Sequence, residues 1–123
     1  MAQHNELGKW GEQIAREYLI VNGYTLVAFD DRGGHFEIDI IAIKGDSIIF
    51  VEVKTRSEGS GNPLDAITPQ KIRRLCIAAN SYVKHYNFPH NVQFDIITII
   101  KKGNSHTLEH YPDAFRPPVR GFK

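Results

Sequence analysis

A chain of 123 residues, 41% hydrophobic and 24% charged, is expected to form one soluble domain with a core of its own. Its formal charge of +1 excludes a strongly basic surface, so any affinity for anions must come from local clusters. A single cysteine, Cys76, excludes an internal disulfide and a cysteine-based zinc site and suits a reducing cytoplasm.

The polar start, Met1 to Glu6, has no signal-peptide core, and the longest aliphatic run, Ile96 to Ile100, is too short to cross a membrane. A first helix is expected from about Asn5 to Val21, where Leu7, Trp10, Gly11, Ile14, Tyr18 and Val21 recur at helical spacing. Asn22-Gly23 ends it. A strand over Tyr24 to Phe29 and a turn over Asp30 to Gly34 follow. A second strand, Phe36 to Ile43, and a third, Ser47 to Lys54, flank Lys44-Gly45-Asp46 and read as an antiparallel hairpin. Thr55 to Ile67 is rich in Ser, Gly and Pro and reads as a loop, mobile over Ser57 to Pro63. Thr68 as N-cap and Pro69 at the first helical position open a second helix that runs to about Asn87. Strands over Val92 to Ile100 and Thr107 to Tyr111 complete a single domain over residues 1–111. Residues 112–123, with Pro117-Pro118, are expected to form a loosely packed tail. The fold class is α/β, a central mixed sheet flanked by helices.

The chemistry concentrates in Glu37-Ile38-Asp39 and Glu52-Val53-Lys54. Strand alternation puts Asp39, Glu37, Glu52 and Lys54 on one side of the hairpin, at one end of an otherwise apolar face. Charges on a sheet interior need partners, a metal or a task. Asp39 and Glu52 are hard oxygen ligands suited to Mg²⁺ or Mn²⁺, with the carbonyl of Val53 as a third donor. Lys54 is placed to orient an attacking water or offset phosphoryl charge. A salt-bridged patch on a solvated face is the competing interpretation. Glu12 lies at the edge of the first helix's apolar stripe, and spacing alone makes it a surface glutamate.

Asp39 with Glu52-Val53-Lys54 resembles the motif of the PD-(D/E)XK nuclease-like superfamily. More closely, residues from about Leu7 to Tyr111 resemble the YraN-like bacterial family. The matching stretches are Gly8-Lys9-Trp10-Gly11-Glu12 with Ala15 and Tyr18-Leu19, Glu37 to Ala42, Phe50 to Arg56, and Gln70-Lys71. The resemblance implies a restriction-endonuclease-like core similar to archaeal Holliday-junction resolvases. It implies that Asp39 and Glu52 hold Mg²⁺, that Lys54 serves the nucleophile and that Glu12 completes the site. The chain departs from the pattern at Ile38, where the superfamily usually has Pro, at His35-Phe36 after Gly34, and at Arg74, where a Tyr often follows Gln70.

Lys71, Arg73 and Arg74, beside the second helix's N-terminus, are candidates for a phosphate backbone or form a solvated basic face. Gln70 and Arg56 are further candidates for nucleic-acid contact, as is Glu37, which equally suits a structural ion pair. His85, His90, His106 and His110 have no compact metal spacing and are expected at the surface; His35 sits beside the candidate site. Cys76 falls on an apolar stripe and is expected in the core. Asp95, opening an apolar strand, is expected to be a structural partner for a nearby Lys or Arg. The expected function is metal-dependent hydrolysis of DNA by an endonuclease, possible as a homodimer on branched substrates. The alternative is a catalytically silent nucleic-acid-binding adaptor.

Overall fold

A computed structural model describes residues 6–30 and 38–117. Helix α1 (Glu6–Val21) precedes strands β1 (Thr25–Phe29), β2 (Ile40–Lys44) and β3 (Ser47–Ser57). Helix α2 (Pro69–Tyr86) and strands β4 (Asn91–Lys102) and β5 (Ser105–Tyr111) follow. The sheet order is β1-β2-β3-β4-β5. All neighbours are antiparallel except β3 and β4, which run parallel. A parallel pair cannot be joined by a hairpin, so the chain crosses over through α2.

Local chemistry sets the element ends. After α1 the Tyr24 N–H donates to Leu19 O at 2.9 Å and the Gly23 N–H to Ile20 O at 3.1 Å. This is a Schellman closure, and it needs the positive φ of +90° that Gly23 supplies. Gly45, at φ +60°, takes the first central position of the two-residue β2–β3 loop, confirming the expected hairpin. Thr68 Oγ1 accepts the Lys71 N–H at 3.1 Å, Pro69 opens α2, and Asn87 closes it in the left-handed conformation.

The helices cover opposite faces of the sheet. Ala15 and Leu19 of α1 pack on Ile40, Ile49, Val51, Val53, Ile97 and Ile99. Leu75, Cys76 and Ala79 of α2 pack on Ile41, Ile48, Phe50 and Phe94. Central β3 is therefore apolar on both faces, as a strand buried on both sides must be. Cys76 is a core residue. Among the described residues, no helix is long and apolar enough to cross a membrane.

The structure corrects several boundaries. β2 begins at Ile40; Phe36, Glu37 and the expected turn from Asp31 lie outside the described residues. β3 continues to Ser57 because parallel β4 pairs with it as far as Ser57↔Lys101. The expected loop is thus shortened, and Pro63–Ala66 within it forms a 3-10 turn capped by Asn62. Residues beyond β5, expected to be loose, dock as far as Phe115. The Ala114 N–H donates to Phe94 O at 2.7 Å, and the Phe115 ring stacks on Phe94 with centroids 4.9 Å apart.

Candidate active site

The site forms where β1 ends and β2 begins. Phe29 pairs with Ile40, and the Asp30 N–H donates to Asp39 O at 3.0 Å, extending the ladder by one rung. Ile40 pairs with Val51 on the other side, which brings Asp39 level with Glu52. Asp39 Oδ2 accepts the Val53 N–H at 2.8 Å. Glu52 is 3% exposed; its Oε2 meets Lys54 Nζ at 3.2 Å and Lys71 Nζ at 3.5 Å. Its Oε1 is buried without a hydrogen-bond partner among the described residues.

α1 delivers Glu12 to the same place. Gly11 lies so close to β3 that a Cβ there would sit 2.9 Å from Thr55 Cβ. That close approach puts the neighbouring Glu12, 6% exposed, in hydrogen-bonding contact with Asp39. Burial and then repulsion from Asp30 push the Glu12 carboxyl up to about 7, against the pull of Arg16 and of its bond to Asp39. Burial, then Glu52 and Glu12, hold Asp39 well above the usual carboxylate range, against the Val53 N–H and Lys54. Carboxylates thus crowd this end of the sheet, and either protons or a cation must relieve them.

Among the described residues, no group of three or more His, Cys, Asp or Glu side chains is disposed to hold a metal ion. What Asp39 and Glu52 offer instead is an open set of two carboxylates beside the Val53 backbone. Such a set fits a hard cation that keeps most of its waters, as Mg²⁺ does. The unpartnered Glu52 Oε1 and the Asp39 carboxyl, held above its usual range by burial and its acidic neighbours, are the groups a cation would satisfy.

The structure brings Glu12, Asp39, Glu52, Val53 and Lys54 together. Lys71 joins them through Glu52. Gln70 and Arg74 are exposed on α2, the former in its first turn. Arg56 is half-buried, and its Nη1 donates to Thr55 O at 3.0 Å. Glu37 and His35 lie outside the described residues.

Two features escaped the sequence. Asp30, expected to open a turn, is 1% exposed and belongs to the cluster. Simple alternation could not have found it: a register shift between Leu26 and Ala28 turns Leu26 to the α1 side and Ala28 to the α2 side. His110, expected at the surface, is half-buried because β5 sets it opposite Ile97 on the α1 side. His110 Nε2 meets Asp95 Oδ2 at 2.7 Å, and its Nδ1 meets the Tyr18 hydroxyl at 2.9 Å. Asp95, fully buried, also accepts from Gln93 Nε2 at 2.9 Å and from the Asp113 N–H at 3.0 Å. Burial pushes its carboxyl up, but the bonds from His110, Gln93 and Asp113 outweigh that and hold it below its ordinary value. Asp95 is thus a structural partner as expected, bonded to His, Gln and backbone where a Lys or Arg was anticipated.

The sequence of the chain is similar to those of known proteins. Residues 11–99 match the model of the uncharacterised protein family UPF0102. A UPF0102 protein of Bacteroides fragilis is 49% identical over 120 residues, covering 97% of this chain and 99% of its own. One of Parabacteroides distasonis is 46% identical over 121 residues, covering 98% and 100%. One of Christiangramia forsetii is 46% identical over 116 residues, covering 94% and 98%. With most of its length matched in both ways, this chain belongs to the UPF0102 family.

Proposed function

We propose that the protein is a metal-dependent endonuclease that hydrolyses DNA phosphodiesters, working in the cytoplasm. The observation that carries this reading is buried Glu52, with one oxygen unpartnered and the other on Lys54, level with a crowded Asp39. The resemblance to the PD-(D/E)XK nucleases and to archaeal Holliday-junction resolvases supports it, with branched DNA as substrate. Cutting a junction symmetrically needs paired sites, so the active form would be a homodimer.

In this mechanism Asp39 and Glu52 would hold Mg²⁺ or Mn²⁺, beside the Val53 carbonyl. The ion, when bound, supplies Lewis-acid stabilisation of phosphoryl charge and eases deprotonation of the attacking water. The Val53 N–H fixes the Asp39 carboxylate. Burial and neighbouring acids hold the Glu12 and Asp39 carboxyls above their usual range, so a cation would bind more tightly as pH rises. Lys54 leaves Glu52 to orient the water or to neutralise the developing charge. Lys71, Arg74 and Gln70 line the approach along α2, and Arg56 follows Lys54 on β3. They would meet the sugar-phosphate backbone.

A second reading, a silent nucleic-acid-binding adaptor, is favoured by one observation: both Lys54 and Lys71 are turned onto Glu52, a pairing able to stand without metal. Incubation of labelled four-way junction, flap, single-stranded and linear duplex DNA with Mg²⁺ or Mn²⁺ separates the two. Asp39→Ala and Lys54→Ala should each slow cleavage roughly a hundredfold or more. Binding without cleavage in the parent protein selects the adaptor. Cleavage that survives both substitutions removes the site from the mechanism.

A further inference from the structure

A cavity of about 400 Å³ opens between the C-terminal half of α2 and the β1–β2 edge of the sheet. Ala28 and Ile41 form its floor, and Phe29, Ile38, Tyr82 and Tyr86 its walls. The volume falls in the range of small-ligand pockets, about 300–1,000 Å³. Apart from the tyrosine hydroxyls, the side chains lining it among the described residues offer no polar group. Two of its rings remain in contact with solvent: Phe29 is 41% and Tyr86 58% exposed. Tyr82 and Tyr86 have ring centroids 4.7 Å apart.

The position of the cavity gives it meaning. Phe29 immediately precedes Asp30, and Ile38 immediately precedes Asp39. Each aromatic or aliphatic wall residue on the sheet side is therefore followed by a carboxylate of the candidate site. On the α1 side, the Arg16 guanidinium lies 4.3 Å from the centre of the Phe29 ring. Beyond the carboxylates stand Lys54 and Lys71. The slot is thus joined along the chain to carboxylates of the candidate site, and Arg16 covers one of its rings. On the nuclease reading, a flat π-faced group carried by the backbone that Asp39 and Glu52 receive suits such a slot. An acyl chain or an apolar protein surface would fill the slot without the phosphate that the nuclease reading places beside it. A base still stacked in a duplex cannot enter, so the occupant must be unpaired.

We propose that this cavity receives an unpaired nucleobase adjacent to the phosphate presented to Asp39 and Glu52, which makes the substrate class DNA with single-stranded or extrahelical nucleotides. The inference rests on the nuclease reading for its choice of backbone. It names a specificity that reading leaves open.

Binding in EDTA tests it without cleavage. The probes are a single-stranded oligonucleotide carrying 2-aminopurine and a blunt duplex of the same sequence. Emission of the 2-aminopurine should fall on saturation as the base stacks. Tyr86→Ala should lower the ratio of single-strand to duplex affinity roughly 5- to 150-fold, with Phe29→Ala acting in the same direction. Tyr86→Trp should keep the ratio, which separates stacking from damage to the fold. Unchanged emission, or an unchanged ratio in Tyr86→Ala and Phe29→Ala, overturns the proposal. So does a change in sedimentation with no change in the ratio, which would assign the cavity to a second copy of the chain. Failure to bind either DNA also overturns it. Cleavage assayed separately keeps the two readings apart: Mg²⁺-dependent cleavage with an unchanged ratio removes the base pocket alone, whereas quenching without cleavage removes the nuclease alone.

Discussion

Gly11→Ala perturbs the contact on which the candidate site depends. In an open helix this substitution stabilises by about 1 kcal/mol, because alanine restricts the unfolded chain and favours the helix. Here the new methyl would lie 2.9 Å from Thr55 Cβ and 3.0 Å from its Cγ2, with Thr55 Oγ1 closer still. Thr55 is β-branched and sits in central β3, so neither its rotamer nor its backbone yields easily. α1 must lift instead. Overpacking of this kind costs about 1–3 kcal/mol, and with backbone and a stiff side chain both opposing it the upper part of that range applies. After the helix gain, a net loss of about 1–2 kcal/mol is expected. Thr55→Ala would remove Oγ1 and Cγ2 but leave Cβ, so the double variant should recover part of the loss and not all of it. A double-mutant cycle by urea denaturation, followed through the fluorescence of the lone tryptophan, Trp10, measures the coupling. Trp10 packs against the α1-side core and reports directly on helix docking. Because Glu12 follows Gly11, the same variant should also weaken divalent-ion binding. Wild-type or greater stability in Gly11→Ala, or strict additivity with Thr55→Ala, would refute the close approach of α1 to β3.

Three further outcomes follow from the site and its supports. Glu12 holds its proton to about 7 in the fold, against an ordinary 4.5. The stability it contributes is therefore complete below the lower value and lost as pH rises through the upper one. At about 1.4 kcal/mol per pH unit the span is worth about 3 kcal/mol. Urea denaturation in EDTA should show wild-type stability falling between about pH 4.5 and about pH 7, and Glu12→Gln should flatten that fall by about 3 kcal/mol; equal slopes for the two proteins would contradict the assignment. Asp95→Asn should cost on the order of 2–4 kcal/mol near neutral pH, since a fully buried acceptor of three hydrogen bonds loses its charge and half its acceptor oxygens. Because the Asp95 carboxyl is held below its ordinary value of 3.8, its contribution is present above that value and disappears as pH falls through the lower folded one, so the deficit of the variant should shrink in acid. Phe115→Ala should lower stability by about 1–2 kcal/mol through the lost stack on Phe94, and limited proteolysis should then cut near residue 112 faster; unchanged digestion would mean that the docked segment adds no protection.

The sequence by itself determined what neighbours along the chain decide. Both helices, with their caps at Gly23, Thr68 and Asn87, follow from side chains within one turn of each end. The β2–β3 hairpin follows from Gly45 and two alternating strands, and it sets Asp39 level with Glu52 with no help from the rest of the molecule. The side of the sheet that carries Lys54 was legible for the same reason: strand alternation is a property of consecutive residues. Other features wait on partners far away in sequence. The parallel pairing of β3 with β4 spans the α2 crossover and lengthens β3 by residues that read as loop. Asp30 looks like a turn residue until β2 extends the ladder to its N–H. His110 looks like a surface histidine until β5 lays it against buried Asp95 and under Tyr18. Glu12 could be joined to the cluster by resemblance, but its spacing pointed to solvent. The physical reason lies two strands away: Gly11 meets Thr55, and a helix can come near enough to deliver a carboxylate only where a glycine leaves room for the strand beneath it.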